Sequence, residues 1–182
     1  MTVQVSERAK LGLAEAFRRA ARDALVRDSN DTCTVEPLKA EPSETLQEGV
    51  TLFVITISSF AFRLLALFQV DADSAAREYY QRARIEPLDE AFAEVTNLCC
   101  GALNRELSSH FEHLAMSTPF RLSAKCLAYL EDLRPHYLAR YLVTINASVR
   151  VQCALCVCCS ASVDFAIAEQ STPVQGGELE MF

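Results

Sequence analysis

The sequence predicts a single α+β domain in which helices pack on a largely antiparallel sheet. Three observations predict it. Apolar residues recur at helical spacing near the N-terminus and again in the middle of the chain, with β-branched and aromatic runs between and after them, so the order is helix, strands, helices, strands. The 182 residues are 51% hydrophobic, enough for the core of one ordinary domain but cramped for two. Two long strand-like runs close the domain, separated only by Asn146-Ala147-Ser148, which has turn chemistry.

Each element has its own signal. Ser6 is a suitable N-cap, and Leu11, Leu13, Ala14, Phe17, Ala21 and Leu25 follow it at helical spacing, which predicts a first helix to about Arg27. Extended segments are expected at about Thr32–Ala40, Gly49–Ser58 and Phe62–Val70. Asp71–Ala83 reads as a short helix with Asp71 or Asp73 near its cap. Pro87 opens the next helix, to about Ser108, because proline suits a first turn. Phe111–Ser117 is expected as a strand closed by Pro119, and Ser123–Leu133 as a weaker helix ended by Pro135. Strands Tyr137–Ile145 and Val149–Ser160 follow. The domain is expected over residues 1–169, and the tail 170–182, with Pro173, Gly176 and Gly177, as disordered.

Composition excludes several function classes. The net charge of −7 and the scattered lysines and arginines argue against nucleic acid, which requires a basic stripe. Met1–Lys10 is polar and charged, unlike a signal peptide, and the longest apolar stretch, Val50–Phe62, is too short and broken to span a bilayer. A soluble, cytoplasmic protein with no membrane contact is expected.

The eight cysteines read as packing residues. On a strand, Cys153 and Cys159 face one side while Cys156 and Cys158 face the other, which cannot close one tetrahedral metal site. No metal site is expected at His110 and His113 either, because a His-x-x-His at a helix-to-strand boundary reads as structural. Asn146-Ala147-Ser148 matches a glycosylation sequon, but the turn reading is preferred. Neither a glycine-rich phosphate loop nor a G-x-S-x-G elbow is present.

The Pro87 helix carries the functional signal. Phe92, Val95, Cys99 and Leu103 follow the spacing of a core face. At roughly 100° per residue, Glu90, Glu94, Asn97 and Gly101 fall within about 60° of one another opposite that core, with Asn104 beside them. Ordinary solvated helix residues would explain Glu90 alone. Gly101 is harder to dismiss, because glycine inside a helix costs about 1 kcal/mol relative to alanine. Its missing side chain leaves room for another backbone to approach.

The stretch EAFAEVTNLCCGALNREL resembles the signature helix of the CheC/CheX/FliY phosphatases: a Glu, two residues, an Asn, a Gly four positions on, and a Pro somewhat over twenty residues beyond the Asn. Here these are Glu94, Asn97, Gly101 and Pro119. The strand order is also CheX-like, so the likeness covers most of residues 6–160. Two departures stand out. The family often has Asp or Ser where this chain has Glu90, and the segment from Arg121 to Pro135 is longer and more helical than usual. The N-terminal helix has Glu15 but Arg18 three positions on, so a single site, as in the CheX-like branch, is expected.

The resemblance implies a phosphatase acting on the phosphoaspartate of a CheY-like response regulator in chemotaxis or two-component signalling. Asn97 would position the attacking water and Glu94 would pair with the partner's lysine, both being catalytic. Glu90, Gly101, Asn104 and Pro119 would bind the partner. No intrinsic cofactor is implied, and the magnesium would be held by the regulator. A homodimer is expected through the two long C-terminal strands, since such an edge must be paired or blocked. The alternative is a non-catalytic docking domain that binds a response regulator or a flagellar motor-switch partner, since fold alone does not determine activity.

Overall fold

The computed structural model describes residues 2–38, 50–70, 74–81 and 87–167. Helix α1 (Glu7–Ala24) leads into strands β1 (Cys33–Pro37), β2 (Thr51–Ser58) and β3 (Phe62–Val70), then helices α2 (Ser74–Tyr80) and α3 (Leu88–Ser108). Short strands β4 (Ala115–Met116) and β5 (Phe120–Ser123) precede two 3-10 helices, Ala124–Tyr129 and Glu131–Leu133. Long strands β6 (Tyr137–Ile145) and β7 (Val149–Cys159) follow. The expected α+β architecture is present: one seven-stranded antiparallel sheet in the order β1-β6-β7-β3-β2-β4, with β5 also paired to β2.

Alternation along the strands separates two cores. Phe53, Ile55 and Ile57 of β2, Leu64, Ala66 and Phe68 of β3, and Cys153, Leu155 and Val157 of β7 face α1 and α3. Leu52, Val54, Leu67, Ala154 and Cys156 point the other way, against Ala124 of the first 3-10 helix and Leu130 between the two. The Arg121–Pro135 segment thus covers the sheet face that the α-helices leave open. Cys153 and Cys156 lie in different cores, as the strand period requires, and burial pushes the Cys156 thiol up to about 12. All eight cysteines are free thiols.

The ends of the elements follow from local chemistry. Ser6 caps α1 by accepting from the Ala9 N–H at 3.1 Å. The helix stops at Ala24 rather than Arg27, because the Arg27 N–H donates instead to the Tyr79 hydroxyl at 2.8 Å. Asn146 and Ala147 both adopt positive φ between β6 and β7. Asn146 suits that conformation, and its amide donates to Asp31 at 2.6 Å while its oxygen accepts from the Thr32 N–H at 3.0 Å. This is the predicted turn. Asp31 also accepts from Tyr79, and these bonds hold its carboxyl down to about 2.

Three expectations need correction. The run Phe111–Ser117 is not one strand. Phe111 turns inward, its ring 4.9 Å from Phe62 and 5.2 Å from Phe165, and positive φ at His113 breaks the extended backbone, leaving Ala115–Met116 paired with β2. Beyond it, β5 was not expected. The register against β2 slips by one residue across Thr118–Pro119, where proline has no N–H to donate, and pairing then resumes at Phe120. Finally, β6 and β7 are interior strands, β6 between β1 and β7, and β7 between β6 and β3. The exposed C-terminal edge that motivated pairing through them is absent. Among the described residues the expected short helix spans Ser74–Tyr80, and Asp71, Asp73, residues 82–83 and the tail from Gln170 lie outside them.

Candidate functional site

Helix α3 starts where the Pro87 carbonyl accepts from the N–H groups of Glu90 and Ala91, so Pro87 caps the helix rather than occupying its first turn. Phe92, Cys99 and Leu103 are fully buried, and Val95 is half-buried against the same core. The Phe92 ring meets Phe53 of β2 at 5.6 Å and Tyr80 of α2 at 5.2 Å, both edge-on. Thr96 is buried, but its hydroxyl donates to the Ala93 carbonyl at 2.9 Å, so the core face carries no unpaired hydroxyl there. This anchoring decides which face looks outward.

The outward face is the one the spacing predicts. Glu90 and Glu94 are exposed, and Asn97 and Gly101 are half-exposed. Asn104 is half-buried on the flank, and its carboxamide oxygen is shielded, with no hydrogen bond from the described residues. Asn104 is therefore less available to a partner than the sequence suggests. Asp89 pairs with Arg121 of β5, tying the start of the helix to the edge of the sheet. Pro119 is half-buried between β4 and β5 on that edge. The structure thus places the helix and the proline on neighbouring elements.

Two glycines on the helices show different reasons for being there. A Cβ at Gly12 of α1 would stand 3.2 Å from the Phe165 ring and 3.4 Å from the Ile167 backbone nitrogen, so close packing explains it. Among the described residues, a Cβ at Gly101 would meet only the Arg105 guanidinium, at 3.7 Å. Neither packing among the described residues nor a positive φ requires glycine at 101. Gly101→Ala should therefore raise stability by about 0.5–1 kcal/mol in chemical denaturation, the helix-propensity gain. If the notch receives another molecule's backbone, the same variant should weaken the complex. A destabilised Gly101→Ala protein, or one that binds a partner unchanged, would contradict this.

Sequence reasoning did not single out Leu98 and Arg105. Leu98 is 56% exposed beside Asn97, and Arg105 is exposed one turn beyond Gly101. The helical projection that grouped Glu94 and Asn97 places both just outside that arc. On α1, Glu15 lies 3.7 Å from both Arg18 and Arg19, and Arg19 reaches Glu106 of α3 at 3.4 Å. Glu15 thus belongs to the contact between the helices and has no asparagine beside it.

Among the described residues, no group of three or more His, Cys, Asp and Glu side chains is placed to hold a metal ion. None of their helices is long and apolar enough to cross a membrane. The His110 ring lies tilted against Phe165 at 5.1 Å, and His113 meets Phe60 edge-on at 6.3 Å.

No family model matches the sequence, and no curated protein matches it. Solved structures do. The chain is similar to one from the CheX–CheY–BeF3–Mg2+ complex of Borrelia burgdorferi, with a TM-score of 0.54 and 13% identity over 81% of this chain and 96% of that one. It also matches the chemotaxis protein CheX of Vibrio vulnificus, with a TM-score of 0.49 and 15% identity over 80% of this chain and 96% of that one. A FliM middle domain from Vibrio alginolyticus matches at a TM-score of 0.48 and 9% identity, covering 80% and 91%. On the first of these, the chain has the CheX-like fold that its strand order and signature helix predict.

Proposed function

We propose that this protein is a phosphatase for the phosphoaspartate of a CheY-like response regulator, with α3 as the element that enters the regulator's active site. The observation that carries the reading is the notch at Gly101. A helix-interior glycine that packing among the described residues does not require lies one turn beyond the Asn97 carboxamide and two turns beyond the Glu94 carboxylate, on the same outward face. A face shaped for close approach and bearing Glu94 and Asn97 suits insertion into a partner's pocket. The CheX-like fold and the Borrelia burgdorferi complex, which contains CheY, support a regulator as that partner.

Hydrolysis of an acyl phosphate requires an in-line water and a stabilised phosphoryl group. Water forms the new oxygen–phosphorus bond as the bond to the aspartate oxygen breaks, giving inorganic phosphate and a free carboxylate. In this reading the regulator supplies the aspartate, a lysine and the magnesium. The neutral Asn97 carboxamide can both accept from and donate to the attacking water without adding repulsion beside the phosphoryl oxygens. Glu94, three residues earlier, reaches the same pocket and pairs with the lysine. Glu90 and Pro119 flank the contact.

The test is phosphoaspartate decay in a panel of CheY-like regulators, with magnesium, in the presence and absence of the protein. Faster decay in at least one regulator is the expected result. A regulator that binds tightly but decays at its own rate would replace the phosphatase with a docking domain.

A further inference from the structure

Helix α3 carries the side chains of Asp89, Glu90, Glu94, Arg105 and Glu106, so Arg105 is its one cation. Asp89 and Glu106 are held by Arg121 and Arg19. Arg105 forms no ion pair with any described residue, and its chain folds back so that Nη1 lies 3.7 Å from where a Gly101 Cβ would stand. A Cβ at 101 would stand in ordinary van der Waals contact with that guanidinium. The glycine opens the notch, and the Arg105 guanidinium lies at its wall, beside the face that carries Glu94 and Asn97.

We propose that Arg105 determines partner specificity by pairing with a carboxylate on the rim of the regulator's active-site pocket; the inference rests on the regulator-binding reading of α3. Gly101 is four residues beyond Asn97, about 6 Å along the helix axis. A guanidinium at that level stands clear of the water that Asn97 orients and meets the pocket's edge rather than the phosphoryl group. Charge supports a carboxylate there. A chain of net charge −7 meeting an acidic pocket needs a local cation, and a guanidinium offers a forked donor pair that matches a carboxylate. A basic residue in the last turn also complements the helix dipole, but that role moves stability and not partner affinity.

The experiment uses the full chain and a CheY-like regulator charged with acetyl phosphate, comparing the parent with Arg105→Gln and Arg105→Lys. Binding to the beryllofluoride-activated and the free regulator is measured alongside turnover, at low and at high salt. Arg105→Gln should raise KM about 3–10-fold at low salt with kcat unchanged, and the difference should shrink at about 0.5 M salt, as for a charge at the rim of an interface. The binding loss should be the same with and without beryllofluoride, because the carboxylate is present in both states, and Arg105→Lys should recover part of it.

Unchanged KM and salt dependence in Arg105→Gln would overturn the assignment. So would a loss confined to the activated regulator or to kcat, which would place Arg105 on the phosphoryl group. If the parent neither binds nor accelerates decay in any regulator of the panel, the underlying reading fails and the inference fails with it. A parent that does either, beside an unaffected Arg105→Gln, removes only the inference.

Discussion

Glu94→Ala is expected to weaken the complex with a phosphorylated regulator by about 2–5 kcal/mol, at least roughly 30-fold in Kd, and to slow turnover as well. Glu94 is exposed on α3, and the partner's lysine would bury against it as the helix enters the pocket. Removing one member of such a pair costs more than the pair contributes, because the other charge is left desolvated. Glu90→Ala provides the internal comparison. It removes a carboxylate from the same face one turn earlier, where only flanking contact is proposed, and should shift Kd by less than a factor of about five, the range of an exposed ion pair. Titration calorimetry with the beryllofluoride-activated regulator gives both values. Equal losses in the two variants would mean that the face carries only diffuse charge and that Glu94 has no specific partner.

Phe92→Ala should cost about 3–5 kcal/mol of folding stability, the range for emptying a fully buried aromatic site. The ring joins three elements, packing edge-on against Phe53 of the sheet and Tyr80 of α2 from its position on α3. Small domains are stable by only about 5–15 kcal/mol, so the variant should melt far below the parent. It should also lose regulator binding in step with the loss of helix order, since Phe92 fixes which face of α3 turns outward. Phe92→Leu fills most of the space and should restore much of both properties. Denaturation within about 1 kcal/mol of the parent would show that α3 is positioned by something else. The two variants separate contact from support: Glu94→Ala should leave the melting transition in place, whereas Phe92→Ala should not.

What could be read from the sequence was mainly local. Spacing identified the core and outward faces of α3, because helix geometry relates neighbouring residues directly. The turn at Asn146–Ala147 and the split of Cys153 from Cys156 were equally legible, since turn chemistry and the two-residue strand period are local. The lateral pairing of the strands was not. The Tyr137–Ile145 run reads as a long apolar strand whether it lies at an edge or inside, and only the pairing of β1 across Cys33–Pro37 places it inside. The bulge at Thr118–Pro119 and strand β5 depend in the same way on β2 lying alongside.

At the site, Glu94, Asn97 and Gly101 were placed correctly on one face, but the sequence could not show that nothing among the described residues accounts for Gly101. Nor could it show that the oxygen of Asn104 is shielded, or that the Arg121–Pro135 segment covers the far side of the sheet. These are facts of side-chain environment and of contacts distant in sequence.

The most direct test of the central claim, that Asn97 orients the attacking water, is single-turnover phosphoaspartate decay in preformed complexes of a regulator with the parent and with Asn97→Ala, at protein concentrations that saturate binding and with magnesium present. Asn97→Ala removes a neutral water-orienting group and no charge, so the complex should form at nearly the parent's affinity. Decay within it should be slower by about 10²-fold or more, as when one preorganised transition-state hydrogen-bonding group is lost. Decay at the parent's rate in an Asn97→Ala complex would contradict the account and move the chemistry elsewhere in the interface.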